Sequence, residues 1–526
     1  MENPSSKGEN TIDTWMHGTY YHGGEYVTGW IGIDKGKIVA TSENPEMPSA
    51  DTTILKDQFI YPGFIDAHAH LVGYANTLFE VQLYGAQSEE EVVERIADFL
   101  KNNPNTDFVL GRGWDQNLFE GKQFPTHHKL SQAYPDLPIV LSRVDGHGVW
   151  TNQKAMDLSG ITADSEIDGG LVMMVDGQPS GIFIDNAEQL IETPSVDFEE
   201  FAKRLLVAEQ NCFAAGITGI CDAGLDLQTL MWLDSLYQME VLTMPLYSMA
   251  AMNQENLDYF GENGKLIRDR FQISSFKVYA DGALGSRGAC LLHPYHDDPG
   301  NSGLLIHTPE DFLMYSRQAL AMDFQVNTHA IGDSANRLIL DTYAQVLEKG
   351  NGKRWRIEHA QIVNPEDLAK FGEYNILPSV QPTHATSDMY WAEERLGPER
   401  IHHAYSYQSL LEVTGTMPLG TDFPVEDIST HKTFYAAVTR KDAKGYPEGG
   451  FRMKEGLTRK QTLEGMTHWA AYAQFQEDQK GQIVVGKYAD FTILDTDWLQ
   501  CDESEILTST VTATYIRGEQ VHPQKK

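Results

Sequence analysis

Residues 62–71 read PGFIDAHAHL, a short apolar run that ends in two histidines separated by one residue. A run of this kind after a Pro-Gly pair is typical of a buried β-strand. Residues i and i+2 of a strand share a face, so His68 and His70 can point towards one ion. The His-x-His pattern alone is weak evidence for a metal site, because a chain with 18 histidines contains such a pattern by chance about as often as not. Its value as evidence depends on which residues lie at the ends of the other predicted strands.

Seven further segments predict strands that follow GFIDAH (63–68). They are GITGICD (216–222), LTMPLYSMA (242–250), ISSFKVYA (273–280), FQVNTHA (324–330), RWRIEHA (354–360), NILPSVQ (375–381) and TMPLGTD (416–422). The stretches between most of them, such as 198–216, 309–323 and 334–350, carry apolar residues near i, i+3 and i+4 and predict helices. Eight strands that alternate with helices predict an α/β fold of the (β/α)8 TIM barrel type.

The two ends of the chain have a different character. Residues 14–60, KYADFTILD (487–495) and TVTATYIRGEQVH (510–522) alternate β-branched or aromatic residues with polar ones. Neither end is long enough for a secure core, so we expect them to pair in one small β-sandwich domain, residues 11–62 plus 476–526, after a disordered start at 1–10. Residues 63–475 then form the barrel, with an α/β insert at about 72–200.

The net negative charge of the chain restricts the kinds of molecule that it is expected to bind. The chain of 526 residues has 40 Lys and Arg against 75 Asp and Glu, a formal charge of -35, which repels nucleic-acid phosphates and anionic lipids. No apolar run is long enough for a membrane span. We therefore expect a small-molecule substrate, no nucleic acid and no membrane, while a homodimer stays open. The expected location is cytoplasmic, or periplasmic or exported if a leader was removed from a precursor.

Other predicted barrel strands also end in residues that can hold a metal. These are Lys277, His329, His359 and Asp422. The ends of barrel strands converge at one mouth, although a single histidine at a strand end is more often structural. Lys277 is unusual, because a buried ammonium between Phe276 and Val278 is costly. A lysine of lowered pKa can react with CO2 to give a carbamate, an anion that can bridge two cations.

These segments together resemble the amidohydrolase superfamily of metal-dependent hydrolases. The motifs are PGFIDAHAHL, NTHAIGD, RIEHAQ and LGTDFPV, with KYADFTILD and VTATYIRGEQV at the C-terminal end. The segments GRGWDQNLF, VDGHGVWTN, FKVYADGALGSRGACL and VQPTH are similar to the amidohydrolase-3 branch of YtcJ-like hydrolases, which includes N-substituted formamide deformylase. The resemblance runs from about residue 14 to residue 520.

The resemblance implies a binuclear centre. In it His68 and His70 would bind the more buried metal, Lys277 as a carbamate would bridge both metals, His329 and His359 would bind the second, and Asp422 would complete the first. Nitrogen and oxygen ligands with an open position favour Zn2+, although other divalent transition metals could bind the same residues. We expect two ions per chain. Asp422 would act as the catalytic base and then acid.

The resemblance also implies positions near the substrate. Trp114, His147, Tyr279 and Arg287 are predicted to bind substrate, and His384 is predicted to donate a hydrogen bond in the transition state. The predicted function is hydrolysis of a C–N bond in an amide-type substrate, such as an N-acyl or N-formyl amine or a cyclic amide. A mononuclear deaminase of the same superfamily is the alternative. A non-catalytic binding protein on the same fold is a more remote one.

Overall fold

A computed structural model describes residues 12–46, 48 and 51–524. The predicted disordered start at residues 1–10 lies outside the described residues. The central sheet contains seven parallel strands, each paired with the next in chain order. They are β1 (Phe64–Ala69), β2 (Ile217–Leu225), β3 (Leu246–Ala251), β4 (Phe271–Tyr279), β5 (Gln325–Ala330), β6 (Arg356–His359) and β7 (Leu377–Ser379). They coincide with seven of the eight segments that the sequence predicts as barrel strands.

The eighth predicted strand, residues 416–422, is an extended segment that lies between β7 and β1. Gly420 N donates to Val380 O at 3.1 Å, and Ala67 N donates to Leu419 O at 3.1 Å. A regular ladder does not form, because Pro418 has no N–H to donate and Asp422 has a positive φ of 65°. A Cβ at Gly420 would lie 2.5 Å from His68 N, so only glycine allows this close approach. The segment therefore joins the two edges of the sheet and makes it barrel-like.

Helices follow the strands as predicted. The main ones around the barrel are Phe198–Ala214, Leu227–Gln238, Gln254–Asn263, Pro309–Ala321, Asp333–Val346, Leu368–Glu373, Pro382–Asp388, Ala392–Arg400, Tyr407–Thr414, Thr430–Thr439, Arg459–Gly465 and His468–Ala473. Asp197 caps the first of them by accepting from Glu200 N, and Thr308 forms a reciprocal capping box with Asp311. These capping residues fix where each helix begins after its loop.

The residues between β1 and β2 form a second sheet. Its strands are Val81–Gln82, Val109–Trp114, Ile139–Arg143, Gly148–Thr151, Gly170–Val175 and Gln178–Asp185, with helices Leu71–Thr77, Glu89–Asn102, His128–Ala133 and Gln153–Leu158 nearby. The apolar segments FVLGRGW (108–114) and LPIVLSRV (137–144) contain two of these strands. We call this part of the chain the insert, residues 72–200.

Both ends of the chain contribute to a third sheet of seven strands. Its strands are Thr14–His22, Glu25–Asp34, Lys37–Ser42, Asp51–Pro62, Phe491–Leu494, Val511–Ile516 and Glu519–His522. The strand Asp51–Pro62 pairs with Thr14–His22 on one side and with Phe491–Leu494 on the other. The pairing of the two ends matches the expectation from sequence, whereas the β-sandwich arrangement and the domain boundaries stay predictions.

Among the helices of the described ranges, none is both long and apolar enough to cross a membrane.

Candidate metal centre and active-site cavity

A cavity of about 860 Å³ opens where the C-terminal ends of the barrel strands meet the insert. It is lined on one side by residues from strand ends and on the other by the insert. His68 is fully buried beneath the cavity wall. The predicted site residues that line the cavity are His70, His147, Lys277, Tyr279, His329, His359, His384 and Asp422.

Asp422 lies at the centre of the polar groups. Its Oδ1 is 3.1 Å from His70 Nε2 and 3.5 Å from His68 Nε2, and its Oδ2 is 3.3 Å from His384 Nε2. Two sets of three side chains bring their ligand atoms within 4.8 Å of one another, and Asp422 belongs to both. One set holds His68 and His70, and the other holds His359 and His384. The geometry thus offers two adjacent groups of donors that share one carboxylate.

Backbone contacts hold Asp422 against β1. Its N–H donates to His68 O at 2.8 Å. The buried carboxylate of Asp66 accepts from His68 N at 3.1 Å, from Thr421 N at 3.0 Å and from Thr421 Oγ1 at 2.7 Å. Asp66 therefore ties the first strand to the eighth segment, a role that the sequence did not reveal.

Lys277 is buried beside this group. Its Nζ lies 3.3 Å from His68 Nε2 and 4.7 Å from the centre of the Tyr279 ring. Burial lowers the pKa of Lys277 to about 8, although the carboxylates of Glu358 and Asp422 oppose the shift. A lowered pKa increases the fraction of neutral amine, which is the form that reacts with CO2.

The environment of His329 and His359 favours their neutral forms. Burial, together with neighbouring cationic groups, holds the pKa of His329 and of His359 well below the usual value. His359 Nδ1 lies 2.7 Å from Gln381 Oε1, which only accepts hydrogen bonds, so Nδ1 carries the proton and Nε2 keeps its lone pair. The rings of His329 and His359 are 4.6 Å apart. Neutral imidazole with a free nitrogen is the form that binds a metal.

Two buried atoms test whether a metal fits this set. Within the described ranges, His329 Nε2 and Asp422 Oδ1 have no hydrogen-bond partner. Unpaired buried polar atoms are costly and rare, so they are expected where a ligand supplies the missing interaction. Imidazole and carboxylate are ligands that Zn2+ and related divalent ions accept. The residues present therefore fit a metal ion.

A buried ion pair contacts Nδ1 of His68, whereas Nε2 of the same ring lies near Asp422. Glu358 Oε2 lies 2.5 Å from His68 Nδ1, and Glu358 Oε1 lies 2.6 Å from Arg356 Nε. All three side chains are inaccessible to solvent. Burial raises the pKa of a carboxyl, yet Arg356 and His68 hold the pKa of Glu358 well below its usual range. Sequence reasoning missed both residues, although two charged residues in an otherwise apolar strand are the same signal that drew attention to Lys277.

The insert contributes a wall with its own polar pairs. His147 Nδ1 lies 2.7 Å from Asp185 Oδ1, and the His147 ring is 5.1 Å from that of His329. Burial lowers the pKa of His147, but the hydrogen bond and charge of Asp185 outweigh it and raise the pKa to about 9. Arg143 is buried and pairs with Asp115 at 2.7 Å and with Asp145.

Two of the predicted substrate-binding residues, Trp114 and Arg287, are not among the residues that line this cavity. Trp114 is fully buried in the core of the insert, where its ring lies 5.9 Å from that of Trp150 and its Nε1 donates to Leu141 O at 2.8 Å. Adjacent residues of an extended chain point to opposite sides, so Asp115 lines the cavity instead. Arg287 pairs with Asp297 at 2.9 Å outside the cavity and braces a loop.

The comparisons with known proteins agree with this architecture. A family model described as the amidohydrolase family matches residues 55–522, so the chain belongs to this family. It is 32% identical over 493 residues to Protein LONG AFTER FAR-RED 3 of Arabidopsis thaliana, covering 89% of this chain and 83% of that protein. It is 28% identical over 513 residues to the putative amidohydrolase YtcJ of Bacillus subtilis, covering 94% and 95%.

Two further relatives bear on activity. N-substituted formamide deformylase of Arthrobacter pascens is 25% identical over 525 residues, covering 92% of this chain and 93% of that enzyme. Among solved structures, an uncharacterized metal-dependent hydrolase from Pyrococcus horikoshii OT3 is 26% identical with a TM-score of 0.76, covering 93% of this chain and 99% of the other. The predicted family is thereby confirmed.

Proposed function

We propose that the protein hydrolyses a C–N bond in a small amide-type substrate, such as an N-acyl or N-formyl amine or a cyclic amide. The observation that carries the proposal is the pair of donor groups that share Asp422 at the barrel mouth. Membership of the amidohydrolase family and the similarity to a formamide deformylase support it. The cavity is large enough for a small organic substrate.

The proposed metal ligands are the six residues of the sequence prediction. They are His68, His70, Lys277 as a carbamate, His329, His359 and Asp422. Zn2+ is the favoured ion, with two per chain, because its preferred ligands are of these types. When bound, such ions would polarise a carbonyl and lower the pKa of a water molecule towards neutrality.

The protein side chains move the protons. The nearby imidazoles of His384, His70 and His68 outweigh burial and hold the pKa of Asp422 well below its usual value, so the carboxylate is ionised. An ionised carboxylate at this position can act as the base that accepts a proton. It would then pass that proton to the leaving nitrogen. Hydrogen bonding to Asp422 outweighs burial at His384 and raises its pKa to about 9, so His384 is placed as a donor to the carbonyl oxygen of the substrate.

Metal counting and a substrate screen test this proposal. Elemental analysis after purification without chelators should give two transition-metal ions per chain, and the metal-loaded protein should release an amine from at least one N-formyl or N-acyl amine, hydantoin or related cyclic amide. One ion per chain, unchanged by added zinc and bicarbonate, would instead favour the mononuclear deaminase. Lactones in the same screen would show whether ester-type C–O bonds are preferred, which would overturn the C–N assignment.

A further inference from the structure

The insert presents a short turn, Asn186–Leu190, to the cavity. The turn is fixed by the residue before it, because Asp185 has a positive φ of 52° and its Oδ1 lies 2.7 Å from His147 Nδ1. The Asp185 carboxylate also lies against the loop that follows β4, where a Cβ at Gly282 would be 2.6 Å from Oδ2. The insert is therefore held tightly to the barrel, and the turn has a defined position at the cavity.

Glu188 is the acidic residue of this turn and lines the cavity. Its Oε1 is buried and has no hydrogen-bond partner in the part of the chain that the structure describes. Burial raises the pKa of Glu188 to about 8, against the opposing effect of His147. An unpaired buried carboxyl is costly, and a donor from a ligand would remove this cost.

The other carboxylates of the cavity differ from Glu188 in having donors from the protein. Asp115 and Asp145 pair with Arg143, Asp388 accepts from Tyr405 Oη at 2.7 Å, and Glu426 accepts from Ser387. Asp185, Asp222 and Asp422 also each have one buried oxygen without a partner within the described ranges. In each of these three the other oxygen has a protein contact, to His147 Nδ1 at 2.7 Å, to Val72 N at 3.2 Å and to His384 Nε2 at 3.3 Å.

The insert side of the cavity has one more acidic side chain than basic ones, and the proposed metal ions lie on the barrel side. Its acidic residues are Asp115, Asp145, Asp185 and Glu188, and its basic residues are Arg112, Arg143 and His147. Arg143 pairs with Asp115 and Asp145, and His147 pairs with Asp185. Glu188 is the remaining acidic group and can attract a cationic ligand.

We propose that Glu188 determines specificity by binding a cationic group of the substrate, so that the preferred amides carry an ammonium or guanidinium group on the part that faces the insert. This inference rests on the proposed function, because it concerns the substrate of the same cavity. A cationic group beside Glu188 would lower its raised pKa and favour the ionised carboxylate. The N–H of that cation would then form a charge-assisted hydrogen bond, an interaction about twice as strong as one between neutral groups.

The competing feature is Arg112. It lines the cavity and donates to Val144 O at 3.4 Å, a long hydrogen bond that leaves other donors of the guanidinium available. If Arg112 selected the substrate, the preferred amides would carry a carboxylate. The two possibilities predict opposite charge preferences, so one series of substrates separates them.

The test uses three N-formyl amines that differ only in the terminal group: N-formyl-1,4-diaminobutane, N-formyl-4-aminobutanol and N-formyl-4-aminobutanoate. The metal-loaded protein should show a higher kcat/KM for the ammonium compound than for the alcohol, and the lowest for the carboxylate. Glu188→Gln keeps the shape but removes the charge, and should reduce the ratio of ammonium to alcohol about 10- to 100-fold. Glu192→Gln, at an exposed residue of the same segment, is the matched control and should leave the ratio unchanged.

Binding measurements separate failure of the inference from failure of the proposed function. Methanesulfonamide analogues of the three compounds have no carbonyl to hydrolyse, and calorimetry gives their affinities for the metal-loaded protein and for Glu188→Gln. Loss of charge selectivity in Glu188→Gln with no hydrolysis of any formamide would retain the inference and overturn the proposed function. An unchanged ratio in the variant, or a preference of the wild type for the carboxylate compound, would overturn the inference.

Discussion

The two walls of the cavity are built differently. On the barrel wall, His329 Nε2 and Asp422 Oδ1 make no hydrogen bond within the described residues, and a buried ion pair contacts His68. On the insert wall, charged groups mostly pair with one another, as Arg143 does with Asp115. Parallel strands impose the positions of the first group, whereas local ion pairs impose those of the second. If the proposed function is correct, the barrel wall would carry out the chemistry and the insert wall would bind the substrate.

The largest effect should follow from Asp422→Asn on the barrel wall. The amide can still offer an oxygen to a metal but cannot accept a proton, so kcat should fall at least 10²- to 10⁴-fold with KM little changed. Steady-state kinetics with metal analysis measures this, and Asp427→Asn, at an exposed residue nearby, is the control. A fully metallated variant with the wild-type rate would assign proton transfer to His384 or another group.

Lys277→Ala, also on the barrel wall, should reduce both metal content and activity. Loss of the proposed bridge should remove metal from the site and lower kcat/KM at least about 10²-fold, since several kcal/mol of transition-state stabilisation depend on the ions. Metal content and activity are measured with and without short carboxylic acids, which are expected to restore part of both. Near-normal turnover and metal content would make Lys277 a structural or substrate-binding residue.

Glu358→Gln tests whether the buried ion pair positions His68. We expect metal affinity to fall about 10- to 100-fold, because the carboxylate that orients the imidazole and increases its basicity is lost. Competition with a chelator measures the affinity, and thermal unfolding reports whether the variant is folded. Glu209→Gln alters a buried carboxylate that accepts from Thr243 N and Met244 N, and should leave metal affinity unchanged. Equal affinities in wild type and Glu358→Gln would contradict a positioning role.

The smallest effect should come from Gly282→Ala, which pushes the insert away from the barrel. The new Cβ would lie 2.6 Å from Asp185 Oδ2, so the turn must shift at a cost of about 1–3 kcal/mol. We expect KM to rise several-fold with kcat nearly unchanged, as measured by steady-state kinetics. Gly300→Ala is the control, since nothing lies within 4 Å of its Cβ position. If KM did not change, the insert would not position the substrate.

The sequence was sufficient for the barrel because its strands are short apolar runs that end in polar residues. Seven of the predicted strands formed, and the family prediction is confirmed. It was insufficient for the eighth segment, because hydrogen bonds to both neighbours and the positive φ of Asp422 depend on tertiary packing. The family resemblance predicts Trp114 near the substrate, whereas the next residue, Asp115, lines the cavity. The sequence alone does not show which side of this insert strand faces the cavity.

The support behind the site was harder to predict than the site itself. Glu358 lies beside His359 in the sequence, but its contact with His68 joins β6 to β1. A contact between distant strands has no local signature. The predicted ligand His329 lies outside the two donor sets, whereas His384, predicted as a hydrogen-bond donor, belongs to one of them. The roles assigned to individual residues therefore stay predictions until metal and activity are measured.

Gly420 lies close to His68 where the eighth segment meets β1. His68 and His70 lie at the end of β1 and Asp422 lies in the eighth segment, so an ion bound by all three would link these two parts of the barrel. Such an ion would have a structural role as well as a catalytic one. Stripping it should therefore loosen the ring of strands and lower the unfolding temperature, since a ligand bound only by the native state stabilises that state. Removal of the ion would then reduce both the thermal stability of the barrel and its catalytic activity.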